Sequence, residues 1–296
     1  TLSDLTRRLR YLHTNPAELN GIVISHEHQD HCGAALNFSK QYGTPVYVNP
    51  GTRQAIIQKR DDAGKIKFCE FTTGTEFNIG DLYINTFPVA HDAAEPVGFA
   101  IKYQQYKIAI FLDLAQVTDE IQTEIAAANL VVIDSNYDRK SLMEGKYPYQ
   151  LKQRILKTGH LSNELVANLI RLHPQNRKTE FWLAHLSKNN NEPGLAMVTI
   201  NQILRVGKIS YRVKVKALPR KQIGPRWIVF DEAQLPLLLP NVSIPVILDE
   251  FRTALTNAEQ SRFDEIFYRA QSIPVDCIKP IYISESTREK GWFIPG

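Results

Sequence analysis

The sequence predicts a layered α/β domain with mixed sheets, and three observations carry that expectation. Short apolar runs of strand length alternate with stretches of helical period over much of the first 218 residues. Between residues 67 and 113 the runs KFCEF, DLYINTFPV, GFAIKYQ and YKIAIFLD follow one another without a helix, a central all-strand stretch. Several apolar runs then end on a histidine or an aspartate, at strand ends, where an α/β sheet gathers its chemistry.

Taken in order, Leu5, Leu9 and Leu12 lie at helical spacing behind Ser3, a predicted N-cap, giving a first helix over about 3–15. GIVIS reads as a strand, HCGAALNFSKQYG as a helix ending at Gly43, and PVYVNP as a strand. After the all-strand stretch come a helix at TDEIQTEIAAA, a strand at VVIDS and a helix beginning at Ser162 in LSNELVANLIRLH. FWLAHLS is a strand, EPGLAMVTINQILRVG a helix and YRVKVKAL a closing strand. Beyond about Pro219 the chain turns proline-rich, with one amphipathic stretch at DEFRTALTNAEQSRFDEIFYRA. Residues 1–218 are therefore expected to form one domain, and 219–296 an extension of unassigned role.

Bulk properties narrow the function classes. The net charge of +4 neither demands nor opposes a nucleic-acid partner. Three cysteines, Cys32, Cys69 and Cys277, are an odd number without paired spacing, which disfavours a disulfide framework and favours a reducing, cytoplasmic setting. No apolar stretch approaches the ~20 residues of a membrane span. The N-terminus has no signal-peptide core, and it opens on a helix pattern without an initiator Met, as expected of a fragment.

Directly after GIVIS the chain reads HEHQDH, which places three of its eight histidines within six positions. A loop at a strand end can wrap His26 and His28 around one ion and turn Asp30 and His31 towards a second. Mixed imidazole and carboxylate donors suit zinc, manganese or iron, and two such ions form a hydrolytic centre. One cluster cannot fill two coordination shells, so further ligands are expected downstream. His91 after INTFPVA, Asp113 at the end of YKIAIFLD and His185 after FWLA supply them.

HEHQDH with the later His, Asp and His resembles the metallo-β-lactamase superfamily. That resemblance implies an αβ/βα sandwich with a dinuclear site. It implies His26, His28 and His91 on the first ion, Asp30, His31 and His185 on the second, and Asp113 bridging both. It also implies two divalent cations, zinc or manganese, and a metal-bridging hydroxide as nucleophile. The strings IDSNYD, GKYPYQLKQRI, GHLSNE and AHLSKNNN resemble the YycJ/WalJ-type branch, viewed as DNA exonucleases. In RNA-processing relatives a histidine at the place of His160 pairs with an acid and donates a proton to the leaving oxygen, which makes Asp134 the partner here. Asp30, His160 and Asp134 are thus the catalytic candidates, a reading of His160 favoured over the alternative that it caps the helix starting at Ser162. The branch usually carries glutamate where Asp134 stands and histidine where Tyr137 stands. The superfamily also opens with strands and a bracing aspartate ahead of the first helix, and this chain is expected to lack both.

Around GHLSN lie Lys146, Tyr147, Lys152 and Arg154, with Arg139, Lys140, Lys157, Tyr137 and Tyr149 nearby. Cations beside aromatics suit a phosphate backbone with stacked bases, and a solvated helix face has the same composition. Lys146, Tyr147, Lys152, Arg154, Ser162 and Asn163 are the substrate-binding candidates. The expected function is a metal-dependent phosphodiesterase acting on DNA as an exonuclease. Two alternatives stay open: a hydrolase of small esters, lactones or thioesters, and a nucleic-acid-binding protein that holds metal without catalysis.

Overall fold

The computed structural model describes residues 1–173, 179–207, 213–220 and 222–227. Described residues as far as Pro225 form one compact unit of two sheets between two helical layers. The first sheet has the order β1-β2-β3, from β1 (Ile22–Val23), β2 (Val46–Val48) and β3 (Phe68–Glu70), all parallel. The second has seven strands in the order β10-β9-β8-β7-β6-β5-β4. They are β4 (Glu76–Ile79), β5 (Leu82–Pro88), β6 (Val97–Tyr103), β7 (Tyr106–Phe111), β8 (Leu130–Asp134), β9 (Glu180–Ala184) and β10 (Lys214–Ala217). Strands β4 to β7 pair antiparallel and β7 to β10 parallel, so the sheet is mixed, as the sequence predicted.

Three apolar clusters hold the layers together. Ile79, Leu82, Ile84, Val97, Phe99 and Ile101 of the second sheet pack with Val23 and Tyr47 of the first, so this cluster lies between the sheets. Ile24, Leu36, Val46, Val48 and Ile56 bind the first sheet to helices α2 (Gln29–Tyr42) and α3 (Pro50–Lys59), behind the opening helix α1 (Leu2–Tyr11). On the far face, Ile121, Ile125, Val166, Ile170, Ile200 and Leu204 pack on β7 and on the fully buried β8 and β9. They belong to α4 (Asp119–Ala127) and to two helices that follow α5 (Arg139–Glu144) and α6 (Tyr149–Arg154): α7 (Asn163–Leu172) and α8 (Pro193–Val206). Removing such apolar area from water is the main force that closes the sandwich.

Boundaries differ from expectation where capping chemistry overrides periodicity. Thr1 caps α1, not Ser3, because its hydroxyl accepts the Asp4 N–H, and Ser3 falls inside the first turn. Helix α2 starts at Gln29 with His28 at the cap position, so Asp30 and His31 sit in its first turn and not in a loop. Gly43 ends α2 in a left-handed conformation, φ 70°, as its composition predicts. Helix α3 lacks apolar periodicity; its signal was Asn49–Pro50, an N-cap followed by proline at the first helical position. The amphipathic stretch at 249–270 lies outside the described residues.

The direction of the strands positions the site. Since β5 and β7 are both antiparallel to β6, and β8 and β9 are parallel to β7, all four leave the sheet at the same edge. Fully buried Phe111, at the end of β7, fixes one of these exits by filling the space above Gly98, where an added Cβ would stand 2.2 Å from its ring. Replacing Gly98 with alanine should therefore cost about 1–3 kcal/mol in a urea unfolding experiment.

Candidate metal centre

The four exits deliver His91, Asp113, Asp134 and His185, and the residues after β1 deliver the HEHQDH cluster. Two of these turns are strained. Asp113 has φ 51° and His185 φ 55°, a left-handed conformation that costs a residue bearing a Cβ of order 1 kcal/mol or more. Each residue follows the buried last residue of a strand, Phe111 or Ala184, by one or two positions, and the reversal turns its side chain back into the cleft. The sequence placed both at strand ends, but periodicity gives no sign of the turn itself.

All seven residues expected as ligands converge. Ligand atoms of His26, His28 and His91 lie within 4.8 Å of one another, as do those of Asp30, His31 and His185. Asp113 sits between the sets. Its Oδ2 is 2.7 Å from His31 Nε2 and 3.4 Å from His26 Nε2, and its Oδ1 is 3.0 Å from His185 Nδ1. Asp30 lies at the mouth, 71% exposed, with Oδ2 3.6 Å from His31 Nε2 and 3.8 Å from His185 Nε2. His91 Nε2 approaches His28 Nδ1 at 3.3 Å, and Ser25 Oγ stands 3.0 Å from His26 Nδ1, leaving Nε2 of that ring facing the cluster.

The electrostatics are those of a cation site. His26 Nε2, His91 Nδ1 and Asp134 Oδ1 are buried without a hydrogen-bond partner, and Asp113 Oδ2 is met only by imidazole nitrogens of the same cluster. Leaving one such group unpaired costs about 1–3 kcal/mol, so together they call for a shared partner. Burial, reinforced by the neighbouring His31, pulls His26 down to about 3, which keeps the ring neutral and its lone pair free to bind metal. Burial also lowers His91. Against burial, the hydrogen bond and charge of His31 and the charge of His185 hold Asp113 well below the usual carboxylate range. Burial opposes protonation of His185 too, but Asp134 and Asp30 outweigh it and push the ring up to about 11. An imidazole forced to act as a cation among carboxylates marks negative charge that divalent ions neutralise, and the donor set fits them.

His160 stands beside this cluster. Its Nδ1 is 2.8 Å from Asp134 Oδ2 and 3.2 Å from Asp113 Oδ1. Burial lowers its affinity for protons, and the charge and hydrogen bond of Asp134 more than restore it, so the net shift is upward. The capping alternative is excluded, because Ser162 Oγ accepts the Leu165 N–H and caps α7. A π-helical turn, Ile155–Gly159, delivers His160 from the end of α6.

The expected substrate contacts divide. Lys146 is exposed and Tyr147 half-buried, with its hydroxyl accepting from Asn189 Nδ2 at 2.9 Å. Lys152 donates to the Met143 carbonyl, and Arg154 pairs with Asp92, next to His91. Of these four, Arg154 is the one tied to a neighbour of a candidate ligand. Ser162 and Asn163, expected as substrate contacts, are instead buried with their polar atoms engaged inside the fold. Ser162 serves as the cap, and fully buried Asn163 accepts from Ser135 Oγ at 2.8 Å and Asn191 Nδ2 at 2.9 Å. Tyr137 is buried as well and cannot stack on a base.

Sequence reasoning missed Asn136, whose Nδ2 donates to the His185 carbonyl at 2.7 Å, and Glu27, buried between two candidate ligands. The signal for Asn136 was present: a polar pair, Ser135–Asn136, directly continuing a fully buried strand.

An αβ/βα sandwich with imidazoles and carboxylates gathered at one sheet edge defines a metal-dependent hydrolase fold. Residues 2–185 match the model of the beta-lactamase superfamily domain, and the chain belongs to that superfamily, in its YycJ/WalJ branch. It is 34% identical over 191 residues to exodeoxyribonuclease YycJ of Bacillus anthracis, covering 64% of this chain and 72% of that protein. It is 33% identical over 204 residues to exodeoxyribonuclease WalJ of Streptococcus pneumoniae D39, covering 67% and 76%. Among solved structures, the metallo-beta-lactamase fold protein YhfI of Bacillus subtilis shares the fold, with a TM-score of 0.53 at 16% identity over 72% of this chain and 80% of that one. Among the described residues no helix is long and apolar enough to cross a membrane.

Two substitutions test the site. Asp113→Asn keeps a residue type that tolerates the left-handed turn, so metal content measured by elemental analysis should fall while the apo fold survives. Ser162→Ala should cost about 1 kcal/mol in unfolding experiments and leave metal content unchanged.

Proposed function

We propose that the chain is a metal-dependent phosphodiesterase acting on DNA, an exodeoxyribonuclease. The observation that carries this reading is the pairing of a seven-residue ligand set with the separate Asp134–His160 couple beside it. In this reading His26, His28 and His91 hold one ion, Asp30, His31 and His185 the other, and Asp113 both, with zinc or manganese the ions the donors suit. When bound, the ions acidify water to a pKa near ~7 and neutralise charge on a phosphoryl oxygen. Asp30, exposed at the mouth, would also orient the attacking water.

The protein's own groups supply the remaining steps. Asp134 accepts the His160 Nδ1–H and stabilises the protonated ring, which leaves Nε2 to deliver a proton to the departing alkoxide. Lys146, Lys152 and Arg154 neutralise backbone phosphates along the approach, and Tyr147 offers a ring for a base. The names of the YycJ and WalJ relatives favour DNA as substrate. We place the protein in the cytoplasm, in keeping with free Cys32 and Cys69, and treat residues 219–296 as an extension to the hydrolase domain.

The test is digestion of DNA labelled at each end in turn, with and without chelator. Stepwise release of mononucleotides that EDTA abolishes is the expected result; hydrolysis of a lactone or thioester without nucleotide release would replace the assignment. His160→Ala should lower the rate on DNA by roughly 10²–10⁴. The same variant should retain most activity on bis(p-nitrophenyl) phosphate, whose leaving group needs no proton.

A further inference from the structure

Glu27 lies between His26 and His28, yet neither the ligand set nor the proton donor uses it. Its side chain is 6% exposed. Both carboxylate oxygens face the Ala94 N–H, at 3.1 and 3.3 Å, three residues beyond His91. Lys59 Nζ, on α3, stands 3.8 Å away and supplies a counter-charge. A second tie joins the same two segments, since the Val97 N–H donates to the Ser25 carbonyl at 3.1 Å. On its other side the loop is fixed to α3 by Glu95, whose carboxylate accepts the Gly51 N–H at 2.7 Å and the Thr73 hydroxyl at 2.6 Å.

The consequence follows from where the ligands originate. His26 and His28 belong to one of the tied segments and His91 to the other, so the three-histidine cage is only as well formed as the join between them. Asp30 and His31 come instead from the first turn of α2, and His185 from the exit of β9. We propose that Glu27 is a positioning residue that sets the affinity of the three-histidine site and leaves the Asp30–His31–His185 site nearly untouched. This rests on the two-ion reading given above. The role needs a hydrogen-bond acceptor at the right reach, not a negative charge as such.

The experiment loads full-length wild type, Glu27→Ala, Glu27→Asp and Glu27→Gln with zinc and titrates each against a chelator. Zinc per chain is measured, together with thermal unfolding of the metal-free proteins. Wild type should hold two zinc ions. Glu27→Ala should keep one and bind the other about 10–100-fold more weakly, the usual consequence of removing a group that orients a metal ligand. Glu27→Gln, whose amide oxygen still accepts the Ala94 N–H, should restore two-site binding. Glu27→Asp, a methylene short and close to the native residue in character, should show the same one-site loss even if the alanine variant fails to fold. Two undisturbed ions in both Glu27→Ala and Glu27→Asp would overturn the proposal. So would parallel loss of both ions, or equal weakening by Gln and Ala. Fewer than two ions in wild type would remove the two-ion reading itself, and the proposal with it.

Discussion

Asp113 is the group around which the rest of the cleft is arranged. A carboxylate 2% exposed, with imidazole nitrogens approaching both oxygens, is stable only where positive charge stands against it. The histidines present cannot all provide that charge. His26 is driven neutral by burial and by its neighbours, whereas His185 is driven to carry a proton. This division of labour among like groups is what an anionic pocket does to its titratable lining, and divalent cations resolve it by satisfying neutral and anionic donors together.

The sandwich makes such a pocket inexpensive to assemble. Four strands that run the same way need only short continuations to bring their next residues together, so candidate ligands separated by nearly a hundred residues meet without long loops. The exceptions are the two left-handed turns at Asp113 and His185, where local backbone preference is overridden. Asparagine, aspartate and histidine are the side chains that tolerate this conformation best, so the residue types that bind metal are also those that permit the turn.

Much of this was legible in the residues, for a physical reason. A ligand terminating an apolar run is conspicuous, and HEHQDH, His91, Asp113 and His185 all stood out on that ground. The mixed character of the second sheet followed from the change between helix-separated and consecutive strands. What the sequence concealed was hydrogen bonding. Ser162 and Asn163 lie in a motif beside His160 and invite a substrate role; only the cap on α7 and the amide pair with Asn191 show where their polar atoms are spent. Tyr137 looked like a stacking ring and is buried in the structure, pairing through its backbone with Ser162. Helix α3, carried by a cap and a proline and not by a stripe of apolar residues, escaped for a similar reason: periodicity records packing, and local backbone chemistry leaves a fainter trace.

The buried polar knot at Ser135, Asn163 and Asn191 joins three parts of the cleft wall. Asn191 donates to the Ser135 carbonyl, Asn136 accepts the Ser187 N–H, and the Asn136 N–H reaches the Leu161 carbonyl. The wall bearing His160 and the wall bearing His185 are thereby stitched into one panel behind the cleft. Opening of the cleft is left to its mouth, where Arg154 of α6 meets Asp92 in a pair open to water. Relaxation measurements would then find a rigid wall behind the cleft and a looser α6 at its entrance.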